Sequence, residues 1–321
     1  MSIAALAFNN SAVLLLHNGN MTTYEAEQIN DAMEAAADGD LILLSEGTYP
    51  AFDITKKITV RGTGEMTVIN GDVNIVIPNE PTLTKNLMEF LKITGSLNVK
   101  SPIKRMIIKQ CNINHNNGGY VRIQAKVTDS YFDRCMLGHL DITGTYEEKI
   151  TVNGVTSTFI TPFAKGLTVT NSVVKEAWGV DSAPSSAYDG KINTGSTFLN
   201  CYIGRAEYSL GKVVNSIIRL TQWPLQCTDF INTYFGRDTR RNENTCTFTN
   251  CYYRPVELPT DFNYEDLTDE DYLGNDGTII GPLGGNTPYT LTPAVPKVTE
   301  SSMKVDAEKK QLNVTLTVSP K

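Results

Sequence analysis

Three or four residues after a recurring small residue stands a basic or imidazole side chain: His115, His139, Lys175, Arg205, Arg219, Arg237 and Arg254. A guanidinium presents a planar fork of donors that matches carboxylate and sulfate, so a row of such groups suits an anionic ligand. Arg240, Arg241, Trp178 and Trp223 stand in the same segments, and aromatic rings pack on sugar faces. The row is read as an edge for an acidic polysaccharide, with Lys175, Trp178, Arg205, Trp223 and Arg254 as contacts. The competing reading is that charges at turns simply face water.

Something must place these side chains side by side, and the sequence around them repeats. IIKQCNI (Cys111), FDRCML (Cys135), VTNSVV (Ser172), FLNCYI (Cys201), VVNSII (Ser216), FINTYF (Thr233) and FTNCYY (Cys251) share one pattern. An apolar residue lies three before a small residue and another lies two after it. Asn precedes the small residue in all but two, where Gln110 and Arg134 stand instead. Loose repetition with insertions marks a repeat architecture. Alternating apolar positions give two short strands, each turning one face inward. Asn tolerates the left-handed backbone of a sharp corner, and stacked Asn amides can bond to one another as a ladder. The small residues fill the crowded inner corner, so Cys111, Cys135, Cys201 and Cys251 are read as buried, structural thiols. A disulfide between Cys227 and Cys246 stays open.

This pattern resembles the right-handed parallel β-helix of the pectin-lyase-like superfamily. Tyr24–Gly64 is similar to the segment that opens that fold: a capping helix, then Gly-Asp into "LILLSEGTY" and a strand such as "ITVRG". Thr22 and Glu25 read as a capping box, Gly39 as the helix stop, and Ala26, Ile29, Met33 and Ala36 as its buried stripe. "DGTIIGPLGG" resembles the closing segment of secreted β-helix proteins of polysaccharide-using bacteria. The fold expected is all-β: a right-handed parallel β-helix with an N-terminal capping helix and a short C-terminal β-hairpin.

The domains follow. Residues 1–21 are a signal-peptide remnant or a first strand, 22–285 the β-helix, and 286–321 a Pro-rich connector with a terminal hairpin. That hairpin either packs on the last turn of the helix or begins a further module. Net charge is −7 over 321 residues, which argues against nucleic acid as a partner. No apolar run is long enough to span a bilayer as a helix.

The resemblance implies a secreted or cell-surface protein that binds, or processes, an anionic glycan. Lyases of the superfamily use an Arg or Lys base, commonly with Ca²⁺; by that likeness Arg219, Arg237 and Arg241 are the catalytic candidates. The family signatures of lyases and hydrolases are missing, the nearest piece being Leu137-Gly138-His139-Leu140. Glu257–Gly277 carries eight acidic residues and no Lys or Arg, but lacks the spacing of a Ca²⁺ loop, so no metal ligand is assigned. Three readings stay open: glycan binding, β-elimination on a uronic-acid glycan, and a structural or adhesion module. Insertions at Thr143–Phe163 and Ala177–Thr197 are expected to wall any cleft.

Overall fold

The computed structural model describes residues 11–115, 118–181, 192–253, 273–289, 297–306 and 311–319. It is an all-β protein dominated by two long, mostly parallel sheets. The chain alternates between them. Each circuit lays one strand on the first sheet, turns a corner, lays one or two on the second, and returns one strand further along.

The apolar position three before each corner residue forms a file inside the first sheet. Ile108, Phe132, Val169, Phe198, Val213, Phe230 and Phe248 are paired in register, and all but Phe248 are buried. The position two after it forms the facing file: Ile113, Leu137, Val174, Ile203, Ile218 and Phe235. Each such side chain contributes about 1.5–3 kcal/mol of burial. The core is thus a stack of similar cross-sections, each filled by one apolar side chain from either file.

The corners are as the spacing predicts. Gln110, Arg134, Asn171, Asn200, Asn215, Asn232 and Asn250 all have φ between 44° and 53°. The residues after them line one interior file, which Cys135 N donating to Ser172 Oγ and Cys201 N donating to Ser216 Oγ, each at 2.9 Å, stitch together. All six cysteines are free thiols, Cys227 and Cys246 included. Burial pushes the Cys111 and Cys201 thiols up to about 12, so they are inert. The circuit just before Cys111 escaped the repeat: Phe90 turns with φ 55° and Leu91 takes the corner position. Neither is the residue type that marks the other corners.

The Asn ladder is only partly an Asn ladder. Asn232 donates to Asn215, but Asn215 and Asn171 donate instead to the segment 273–289, at Asn275 and at the carbonyls of Pro282 and Gly284. That segment, the "DGTIIGPLGG" stretch, runs back along the corner. Its Ile280 closes a second apolar cluster with the outward-facing Val173, Tyr202, Ile217 and Tyr234. Gly285 lies so close to Asn200 that a Cβ there would sit 2.3 Å from the amide nitrogen.

At the N-terminal end the helix Ile29–Ala35 follows a 3₁₀ turn, Ala26–Gln28. Its capping box is Glu25 with Gln28, not Thr22 with Glu25, because the first helical turn begins only at Ala26, which makes Glu25 the N-cap and leaves Thr22 within the strand Asn20–Glu25. The helix also stops earlier than Gly39; Ala36 is already extended, and Gly39 at φ 94° turns the chain into Leu41–Leu44. Residues 12–17 form an ordinary strand, antiparallel to Leu41–Leu44, with Val13 and Leu15 buried. Residues 1–10 lie outside the described residues. Lys297–Asp306 and Gln311–Ser319 form the expected antiparallel hairpin, a compact unit spanning Thr290–Lys321. No helix among the described residues is long and apolar enough to cross a membrane.

Candidate functional site

The outward face of the second sheet carries two files of polar and aromatic side chains. In one, Tyr120, His139, Glu176, Arg205 and Leu220 are register partners on five successive strands. In the other, Asp53, Asn74, Asn98, Arg122, Asp141, Trp178 and Glu207 follow one another. Six strand spacings of about 4.8 Å make this second strip about 29 Å long. At its N-terminal end Asp53, Asn74, Asn98 and Arg122 are joined by hydrogen bonds of 2.7, 3.0 and 3.3 Å. There it borders a groove of about 430 Å³ beside the helix, lined among others by Asn30, Glu34, Lys56 and Asp72.

A bend in each strand creates the outward file. Pairing skips Gly138, Lys175, Gly204 and Arg219, so one residue is passed over and the next, His139, Glu176, Arg205 or Leu220, follows it in register. At Gly204 a Cβ would lie 2.7 Å from the carbonyl oxygen of Lys175; the close approach requires glycine. The apparent single row at offsets three and four is therefore two rows. Lys175 and Arg219 sit at the bend, His139 and Arg205 on the outward file. His115 belongs to neither, being buried at 4% exposure. The exposed edge is not purely basic, because Glu176 holds the slot between His139 and Arg205.

These groups contact one another. Glu176 Oε2 lies 3.0 Å from His139 Nδ1 and accepts a hydrogen bond from Arg205 Nη2. Arg205 Nε lies 3.3 Å from Glu207 Oε1, and its Nη1 donates to Gln222 at 3.3 Å. One guanidinium thus bridges two carboxylates. Three rings meet beside it: Tyr120 is 5.0 Å from His139 and 5.6 Å from Trp178, and His139 is 5.1 Å from Trp178. The Arg122 guanidinium lies 4.0 Å over the Tyr120 ring.

Satisfaction is incomplete here. Trp178 Nε1, His139 Nδ1 and Arg205 Nε are buried atoms without an aligned hydrogen bond, the latter two despite their ion-pair distances. A buried donor left unpaired costs roughly 1–3 kcal/mol. Burial pushes the Glu207 carboxyl up, with Arg205 opposing and Glu176 reinforcing the shift. Burial holds the His139 imidazole down against Glu176, so it is neutral near neutral pH. The cluster contains an acid that keeps its proton more readily than usual, a neutral imidazole and an indole N–H facing no acceptor.

Of the sequence candidates, the structure brings together Lys175, Trp178 and Arg205, with Arg219 one strand beyond. Trp223, half exposed, stacks on Tyr208 at 6.5 Å. Arg241 lies elsewhere: its guanidinium is 4.8 Å over Phe235 and 5.4 Å over Phe248 and Tyr253, covering aromatic rings of the last two described circuits. Arg237 lies on the strand Tyr234–Asp238, but its side chain is outside the description. Arg254 and the acidic run 257–272 are outside the described residues. Among those residues no three His, Cys, Asp or Glu side chains converge to hold a metal. Tyr120 and Glu176 were missed, while Glu207 was noted only as a carboxylate near the Arg residues. A signal for this face was available: Asp141, Trp178 and Glu207 each stand six residues after the corner residue.

Both large insertions leave the second sheet right after strands of this site. The hairpin Thr145–Val152 and Val155–Pro162 follows Met136–Asp141, and the segment 182–191, outside the described residues, follows Val173–Trp178. No family model, curated protein or solved structure matches the chain.

Proposed function

We propose that the protein is a right-handed parallel β-helix of the pectin-lyase-like kind, acting outside the cell, and that the outward face of its second sheet binds a polysaccharide. The observation that carries this reading is the strip of about 29 Å on which rings, amides and charged groups follow one another at strand spacing. An extended chain of sugar units offers ring faces and hydroxyls at a comparable repeat. Tyr120 and Trp178 would take the faces. Arg205, held in place by Glu176 and Glu207, would present its partly exposed guanidinium to hydroxyl or acidic groups of the chain. Lys175 and Arg122 would favour acidic substituents, while Glu176 and Glu207 make a purely electrostatic grip a poor description. Selectivity for an acidic over a neutral glycan is accordingly modest.

The test is affinity electrophoresis through gels containing polygalacturonate, alginate, chondroitin sulfate or neutral dextran. Wild type should be retarded by at least one acidic polymer, and Trp178→Ala and Arg205→Ala should each weaken retardation at least about tenfold. Unchanged migration of Trp178→Ala would remove this face as the binding site. Incubation of wild type with the same polymers tests the elimination reading, since cleavage by elimination leaves an unsaturated, ultraviolet-absorbing end.

A further inference from the structure

The hairpin Thr145–Val152 and Val155–Pro162 is a sheet of two strands, and among the described residues nothing pairs with its outer edges. Asn153 and Gly154 close it with φ values of 53° and 79°, the type I′ turn that matches strand twist. Residues 151–160 are all exposed. Ile150, Val152, Val155 and Phe159 lie on one face, at 45, 62, 68 and 49% exposure. A lone two-stranded ribbon is marginal in water; a third strand and a covered apolar face are what make such a sheet stable.

The two edges differ in charge. Thr145–Val152 carries Glu147, Glu148 and Lys149, the kind of residues that keep edge strands from pairing. Val155–Pro162 reads VTSTFITP, with no charge and a high content of β-branched and aromatic residues. It is the unguarded edge. Because Val152 and Val155 flank a two-residue turn, they exchange the first pair of hydrogen bonds. Strict alternation then points the N–H and C=O of Thr156, Thr158 and Ile160 away from the hairpin.

We propose that this edge pairs antiparallel with the same edge of a second copy of the chain, about a two-fold axis through Ser157. In that register Thr156 opposes the second copy's Thr158, a Thr–Thr pair between outward-bonding residues. Val155 opposes the second copy's Phe159, a β-branched residue against an aromatic on the apolar face. The sequence is self-complementary about Ser157, as an isologous contact requires. No like charges meet, because both charged strands lie outermost in the resulting four-stranded sheet. The apolar faces of the two hairpins become continuous, and the pairing closes at two copies since each unguarded edge is then used.

The test is sedimentation of the full chain across a concentration series. Wild type should show a concentration-dependent monomer–dimer equilibrium. Thr158→Lys, which places a charge on the unguarded edge without touching the turn, should raise the dimer dissociation constant at least about tenfold. Lys149→Thr, on the other edge, should leave it unchanged. Ser157→Cys should give a disulfide-linked dimer on mild oxidation, because that residue faces its own copy across the axis; wild type under the same conditions should not. A wild type that stays monomeric throughout, a Thr158→Lys variant that dimerises normally, or a larger open assembly would each overturn the proposal. So would cross-linking of Ser157→Cys no faster than of wild type.

Discussion

The interior corner file and the outward file of the second sheet belong to the same stacked strands, only a few residues apart, yet they obey different rules. Inside, position after position repeats: Cys111, Cys135, Ser172, Cys201, Ser216 and Thr233 are small, buried and hydrogen-bonded to neighbouring circuits. Outside, Tyr120, His139, Glu176, Arg205 and Leu220 share no chemistry, and two of their polar atoms, His139 Nδ1 and Arg205 Nε, are poorly satisfied. Where the fold demands something, the sequence repeats it; where it does not, divergence is free to serve another purpose.

The largest effect expected from this contrast is in the core. Phe198→Ala should lower the unfolding free energy by about 3–5 kcal/mol in urea titration, as truncation of a fully buried aromatic does. Trp178→Ala, on the outward face of the second sheet, should cost no more than about 1 kcal/mol while weakening glycan retention. Equal losses for the two would mean that the outer face is as structural as the inner one, and the contrast would collapse.

Next in size is the corner itself. Asn215→Ala forces an alanine into φ 47° and deletes the amide contacts to Asn275 and Asn232. A loss of about 1–3 kcal/mol is expected, since the left-handed conformation alone costs about 1–2 kcal/mol and an abandoned buried partner adds to it. The segment 273–289 should also become cleavable by protease at concentrations that leave wild type intact. A variant as stable and as resistant as wild type would show that the corner holds without its amide.

This ranking also explains how much was legible beforehand. The corner residues and the apolar files were readable because the fold applies the same steric test on every circuit, and residues that fail it are replaced. Phe90-Leu91 passes the same test with unusual residues, so only the backbone shows it. The charged row was visible as a spacing but not as a site. A spacing counts bases and passes over Glu176, which occupies the equivalent position, and it cannot see that skipped pairing at Gly138 and Gly204 splits the row in two. Nor can an offset show that Arg241 covers aromatic rings while Arg205 is clasped by two carboxylates. Those depend on where side chains lie after folding.

A smaller effect distinguishes the outer file by pH. Glu207 binds its proton more readily folded than unfolded, so the folded state holds the extra proton just above the ordinary carboxylate range and stability falls as pH rises through that window. His139 acts in the opposite sense. Its folded form resists protonation, so stability falls as pH drops through the ordinary value of 6.5. Thermal midpoints of Glu207→Gln and His139→Phe, each subtracted from wild type across pH, should show wild type losing ground on the alkaline side in the first comparison and on the acid side in the second. Flat difference curves would mean that the cluster is open to solvent and not the desolvated site described here.

The smallest effect sharpens the rule for the inner corner. Gln110 sits at φ 49°, in the left-handed region that Asn occupies in five of the seven repeated corners. Asn reaches that region at lower cost than a longer side chain, because its short amide can hydrogen-bond locally. Gln110→Asn should therefore stabilise the protein by about 0.5 kcal/mol, visible as a small rise in the urea midpoint at constant slope. The alternative is that Gln110 is kept for what its longer amide touches, in which case the substitution destabilises. The sign of so small a change tells whether the departures from Asn in the repeat are tolerated blemishes or placed contacts, and the same measurement on Arg134, whose guanidinium pairs with Asp133 at 3.0 Å, should come out destabilising.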